Sequence, residues 1–186
     1  FMSDGFGTGF SSNLVLMENP SLTAAQIDVI MDNFMGINRY IKMTVLPYDG
    51  IHHIDMHMKL LDEETLLIGK YPTNIADGPQ IEANIQYILS NFNSVFGTPY
   101  KVIRIPMPPE TNGTWPHQGG DYLTFTNSVF INKTVLVPTY YQQYDTTAIR
   151  IYKQSLTKPR SFHKLLQIIK YLFLKYELNN ILHKIV

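Results

Sequence analysis

The feature that most restricts this chain is a unit that returns three times, an apolar strand or hairpin followed by an amphipathic helical pattern. In the first copy the run Asn13-Leu-Val-Leu-Met17 reads as a strand. A cap at Ser21 or Thr23 then opens a helix whose apolar residues Ile27, Ile30, Met31 and Phe34 fall on one face. The second copy is a hairpin, Met56 to Leu61, the turn Asp62-Glu-Glu64 and Thr65 to Ile68, with a helix from Pro79 carrying Ile81, Ile85, Ile88, Leu89 and Phe92. The third is a hairpin from Tyr122 to Ile131 and Thr134 to Val137, followed by a helix over Asp145 to Tyr152. Laying Thr65-Leu-Leu-Ile-Gly69 over Thr134-Val-Leu-Val-Pro138 puts turn, threonine and three apolar residues in step. Single strands are expected at Thr44 to Leu46 and at Lys101 to Pro106, each just after a helix. Copies about 50 to 70 residues apart are too widely spaced for a solenoid. They suit a ring-like α/β assembly of modules or, equally on pattern alone, an α+β sandwich.

Composition narrows the function classes. With 186 residues, 45% of them apolar, the chain can bury a core without staples. The absence of cysteine removes disulfides, thiolate zinc sites and any thiol nucleophile of the chain's own. Fifteen acidic and fifteen basic residues give no overall hold on nucleic acid or an anionic membrane. The balance is uneven, since residues 156–186 carry six Lys and Arg against Glu177, a surplus of five. The chain therefore divides into an α/β region over 1–155 and a basic Lys/Leu/Ile-rich tail over 156–186. That tail is expected to be helical, packed on the domain or lying at a membrane interface. Lys170 and Lys175 interrupt its apolar run, so it does not read as a membrane span. Position 1 is Phe with Met2 behind it, which leads us to expect a piece of a longer protein.

The densest polar cluster is His52-His53-Ile54-Asp55-Met56-His57. If a strand begins here, alternation puts His53, Asp55 and His57 on one face. Two imidazoles and a carboxylate suit a metal ion, and a metal-dependent hydrolase using these three residues is one reading. A second is recognition of a planar cation by Asp55 with His53 as acid or base, because a guanidinium presents paired N–H donors to a carboxylate. Plain surface polarity at a strand end is the third. Trp115, Tyr140, Tyr141 and Tyr144 are candidates for a pocket wall or for core. Asn112-Gly-Thr and Asn132-Lys-Thr match the glycosylation triplet, and Gly119-Gly120 precedes a strand, unlike a phosphate loop.

Three segments carry a resemblance: Phe-Met-Ser-Asp-Gly at 1–5, Gly-Ile-His-His-Ile-Asp-Met at 50–56, and the stretch Tyr122 to Pro138 with its Thr-Asn-Ser. Together they resemble the bacterial, Porphyromonas-type peptidyl-arginine deiminases and the agmatine deiminases of the guanidine-modifying superfamily, from residue 1 to about Ser155. The resemblance implies a pentein-like pseudo-fivefold α/β propeller, of which this chain would hold about three modules. It also implies hydrolysis of a guanidinium to a ureido product and ammonia, without cofactor or metal. By the same likeness His53 corresponds to the acid/base, Asp55 to the guanidinium-binding carboxylate and Asn127 to a substrate contact. Asp4 sits in a loop that it would organise without reacting.

The chain departs from the family pattern in two ways. Neither the Trp-x-Arg-Asp segment, which supplies the other clamping carboxylate, nor the nucleophilic cysteine is present among these residues. The chain alone is therefore expected to be inactive, a binding-only remnant being the alternative. The expected partner is a small or peptide guanidine. An agmatine substrate would imply putrescine synthesis and a cytoplasmic protein; a peptide substrate would imply a secreted one. Uncovered strand edges raise the expectation of self-association.

Overall fold

The computed structural model describes residues 1–117, 120–132 and 134–156, and the backbone of a strand at Gln167–Leu172. Three copies of one connection build it. In the first, β1 (Met2–Ser3) pairs antiparallel with β2 (Thr8–Ser12), and the chain passes through α1 (Leu14–Met17) and α2 (Ala24–Met35). It returns as β3 (Arg39–Met43), parallel to β2. The second repeats this with β4 (Met58–Asp62), β5 (Thr65–Lys70), α3 (Gly78–Asn91) and β6 (Lys101–Pro106). The third uses β7 (Val129–Ile131), β8 (Thr134–Thr139), α4 (Gln142–Ser155) and β9 (Gln167–Leu172).

The repeat expected from the sequence is present, but the ring built on it is not. Each unit closes its own three-stranded mixed sheet, and among the described residues none of the sheets curls on itself or joins another into a barrel. The expectation of a pseudo-fivefold, pentein-like propeller fragment is therefore corrected to an α/β fold of three separate mixed sheets. The physical reason is that periodicity specifies a module and its internal hydrogen bonds, while leaving the arrangement of modules open. The helical tail is corrected as well where it can be read. Gln167–Leu172 is a strand parallel to β8, because a short run rich in Ile, Tyr and Leu satisfies strand and helix patterns alike. The rest of the 156–186 expectation lies outside the described residues.

Two more elements move. Asn13-Leu-Val-Leu-Met17 is not a strand, since Leu14–Met17 form a helical turn and the strand is the preceding Thr8–Ser12. Its Thr-Gly-Phe-Ser-Ser is buried at every residue, and small side chains are what the packing there admits. A Cβ on Gly9 would come within 2.8 Å of Ile37. The strand expected at Thr44 to Leu46 lies just upstream, at Arg39–Met43. Thr23 does cap α2, taking the Gln26 amide on its hydroxyl while the Gln26 side chain accepts from the Thr23 amide at 2.8 Å. Gly36, at φ 66°, ends that helix in the left-handed conformation.

The middle sheet organises the core because both its faces are covered. Leu66 and Ile68 of β5 join Phe10, Ile41, Ile81, Ile85 and Ile88 in one cluster. Leu67, between them in sequence, points the other way with Ile105, Val135, Val137 and Tyr152. That is why β5 reads as an unbroken apolar run. The two segments joining the modules, 44–57 and 107–128, lie largely outside the ladders and carry most of the unusual polar side chains.

Candidate functional site

The first connecting segment is fixed from the moment it leaves β3. The buried Asn84 of α3 accepts the Thr44 amide at 3.2 Å and donates to the Thr44 carbonyl at 2.8 Å. Asn13 accepts the Val45 amide at 3.0 Å, and Asp77 the Tyr48 amide at 2.9 Å. The backbone then turns sharply. His52 takes φ 55°, a left-handed conformation costly for a side chain with a Cβ, and His53 leads into a single 3-10 turn over Ile54–Met56. Ile54 plugs that turn into the core, leaving Asp55 half-buried and His53 exposed.

That turn overrides the expected alternation. Strand β4 starts only at Met58, so His53, Asp55 and His57 do not share a strand face. His57 is 4% exposed with both ring nitrogens unpartnered, and burial alone pushes its pKa down to about 4. Among the described residues no three His, Asp or Glu side chains converge as a metal site, which removes the geometric basis of the metal-hydrolase reading.

The second segment meets the first at Asp55. Thr126 donates its hydroxyl to the Asp55 carbonyl at 2.8 Å, across 71 residues of sequence. The neighbouring Asn127 is exposed, with its amide nitrogen 4.0 Å from the Met56 sulfur. The backbone of the His53–Asp55 turn thus lies against the segment that carries Asn127. No side-chain hydrogen bond commits His53 or Asp55 among the described residues. Lys59 approaches from β4, donating to the Ser128 carbonyl and standing 5.7 Å from the Phe130 ring. Burial lowers its pKa, and the charge of Asp55 opposes that shift.

Residues 122–128, expected as a strand, are held by side chains instead. Thr124 and Thr126 share a hydroxyl hydrogen bond of 2.7 Å. Tyr140 accepts the Thr124 amide and donates to its carbonyl at 3.0 Å. The Tyr152 hydroxyl bonds both the Phe125 carbonyl and Ser128 Oγ at 2.8 Å. Tyr140 is therefore part of the scaffold, its pKa raised to about 12 chiefly by burial. Asp4 does organise its loop, accepting the Phe6 and Thr8 amides at 2.8 and 2.9 Å.

One group of residues escaped the sequence reading. Asp77, at the start of α3, caps nothing with its side chain and instead accepts the Tyr122 hydroxyl at 2.5 Å. Burial raises its pKa, against the hydrogen bonds from Tyr122 and the Tyr48 amide. Asp49 and His52 act on it electrostatically, and each has a buried side-chain atom without a hydrogen-bond partner, as do Tyr71 and Glu110. No motif announces this group, because the partners of Asp77 lie 29 and 45 residues away.

Residues 1–163 match the family model for Porphyromonas-type peptidyl-arginine deiminase. Among solved structures, a protein of Porphyromonas gingivalis assigned as an arginine deiminase is similar with TM-score 0.70 and 23% identity. The match covers 90% of this chain and 48% of that one. The agmatine deiminase of Enterococcus faecalis gives TM-score 0.68 and 15% identity over 92% of this chain and 50% of its own. The Campylobacter jejuni enzyme, crystallised as a C315S agmatine deiminase with substrate bound, gives 0.64 and 20% over 90% and 47%. At these identities the likeness is one of fold, and the chain spans about half the length of the structures it matches.

Proposed function

The chain belongs to the Porphyromonas-type peptidyl-arginine deiminase family, and from that premise we propose that it forms the guanidinium-recognising part of a guanidine-hydrolysing deiminase. The observation that supports the reading is the Thr126 bond to the Asp55 carbonyl, which holds the His-x-Asp turn against the segment of Asn127, while His53 and Asn127 are themselves exposed. Asp55 would accept paired N–H donors from a guanidinium. His53, exposed and without a side-chain hydrogen bond among the described residues, would move protons, and Asn127 would contact the substrate beyond its charged head.

The family's chemistry needs a thiolate, and this chain has no cysteine, so the thiol must come from outside these 186 residues. In the complete reaction sulfur bonds to the guanidinium carbon, and the carbon–nitrogen bond to the departing group breaks as His53 delivers a proton to the leaving ammonia. Water, losing a proton to His53, then displaces sulfur to give the ureido product and regenerate the thiol. The substrate is peptidyl-arginine or agmatine, and with agmatine the product leads toward putrescine.

The isolated chain should bind a simple guanidine and not turn it over. Titrating butylguanidine calorimetrically, we expect Asp55→Asn to weaken binding at least about tenfold, the loss of a charge-assisted pair. Unchanged affinity in that variant overturns the role of Asp55. Ureido product formed by the cysteine-free chain overturns the thiol chemistry.

A further inference from the structure

The helices of the three modules are not equally covered. Helix α3 packs on β5 of its own module and on β3 of the one before, so that Ile81, Ile85 and Ile88 share a core with Leu66 from the first and Ile41 from the second. Helix α4 repeats the arrangement between its own β8 and the preceding β6, its Ala148 and Tyr152 sitting with Val135 and Ile105. Helix α2 packs on β3 of its own module. Its apolar face is Ile27, Ile30, Met31 and Phe34, yet only Ile27 is buried, while Ile30 is 42% and Phe34 83% exposed.

The third sheet carries the complementary half. Parallel pairing sets Thr8 against Arg39, Thr65 against Lys101 and Thr134 against Gln167, so Phe10, Leu67 and Leu136, each two residues on, occupy equivalent places. Phe10 lies in the core that α3 fills and Leu67 in the core that α4 fills, each beneath the helix of the following module. Leu136 has no such helix over it among the described residues. It alternates with Val135 and Val137, which face α4, and is half-buried. On β7 its paired neighbour Val129 is 51% exposed, and Ile131 is 49% exposed. The outer faces of a self-sufficient stack of repeats are polar. Here both are apolar, and they are the two halves of a contact the chain already makes twice. Charge favours the same pairing, since α2 has Asp28 and Asp32 but no Lys or Arg, and residues 156–186, which include β9, hold the surplus of five positive charges. We propose that α2 of one copy docks on the Val129, Ile131 and Leu136 face of a second copy, so that chains associate head to tail through the helix-on-sheet contact that joins their own modules. The two surfaces differ, so the interface is heterologous, and the apolar patch on each side drives it.

Sedimentation velocity on the whole chain, over a wide range of concentrations, should show a mass that climbs above the monomer as concentration rises. Phe34→Asp and Ile131→Asp put a charge on one surface each, and each should raise the dissociation constant at least about tenfold. Both positions are exposed, so the fold should survive; if circular dichroism reports otherwise, Phe34→Ser and Ile131→Thr make the same test. The decisive measurement mixes the two variants. Each keeps the half that the other has lost, so the mixture should regain a one-to-one dimer and, unlike the wild type, grow no further. A wild type that stays monomeric throughout overturns the proposal, as does association that neither substitution weakens. A mixture no larger than its separate components overturns it too, because two copies would then be pairing helix to helix or sheet to sheet.

Discussion

Tyr152 and Tyr71 are both buried phenols, alike in burial and opposite in company. The Tyr152 hydroxyl donates and accepts within a closed network that pins residues 124–128. The Tyr71 hydroxyl, among carboxylates, has no partner at all. Burial pushes both pKa values up, so the difference lies in how completely each neighbourhood answers its own polar atoms. A satisfied network serves the fold, whereas a buried hydroxyl left without a partner costs the fold the desolvation of that group.

Three experiments test that contrast. The largest effect belongs to His57, which stands with the unsatisfied set. Unfolded, its imidazole takes up a proton near pH 6.5; folded, it stays neutral down to about 4. The unfolded state therefore binds more protons between those values. Its contribution to stability is intact above pH 6.5 and declines as pH falls to about 4, a loss of roughly 3 kcal/mol. Melting curves at several pH values should show that decline in the wild type beyond His57→Leu, and parallel curves would dismiss it. Next is Tyr152→Phe, which strips two buried groups of their partner and should cost about 2 kcal/mol in chemical denaturation. The smallest is the same atom removed from the other ring. Tyr71→Phe deletes an unanswered hydroxyl and should be neutral or stabilising by up to about 1 kcal/mol. Equal destabilisation by the two substitutions would erase the distinction.

What the sequence revealed follows the range of the forces involved. Strand β6 was readable to the residue, as was the start of β5, and the α2 cap was narrowed to Ser21 or Thr23, because period, turn residues and capping are local. Strand β2 was missed, because Thr-Gly-Phe-Ser-Ser carries little apolar signal and is chosen for close packing against Ile37 and Phe1. The His53 and Asp55 turn was found by motif, while its backbone was misjudged. Alternation is a property of strands, and here the burial of Ile54 winds the chain into a 3-10 turn. Residues 122–128 look like a strand through Thr124, Thr126 and Ser128, yet the Thr124 backbone is held by Tyr140, the Thr126 hydroxyl by the Asp55 carbonyl and the Ser128 hydroxyl by Tyr152, all distant in sequence. The unpartnered side-chain atoms of Asp49, Tyr71 and Glu110 were invisible for a related reason, since an unpaired polar atom has no signature in one dimension.

Every strand ladder begins and ends inside its own module, whereas His53, Asp55, Asn127, Asp49 and Glu110 all sit on the joints between modules. Substitutions on these joints can therefore accumulate without disturbing any sheet register. Such an architecture lets the surface between modules diverge among descendants while the foldable units are inherited intact.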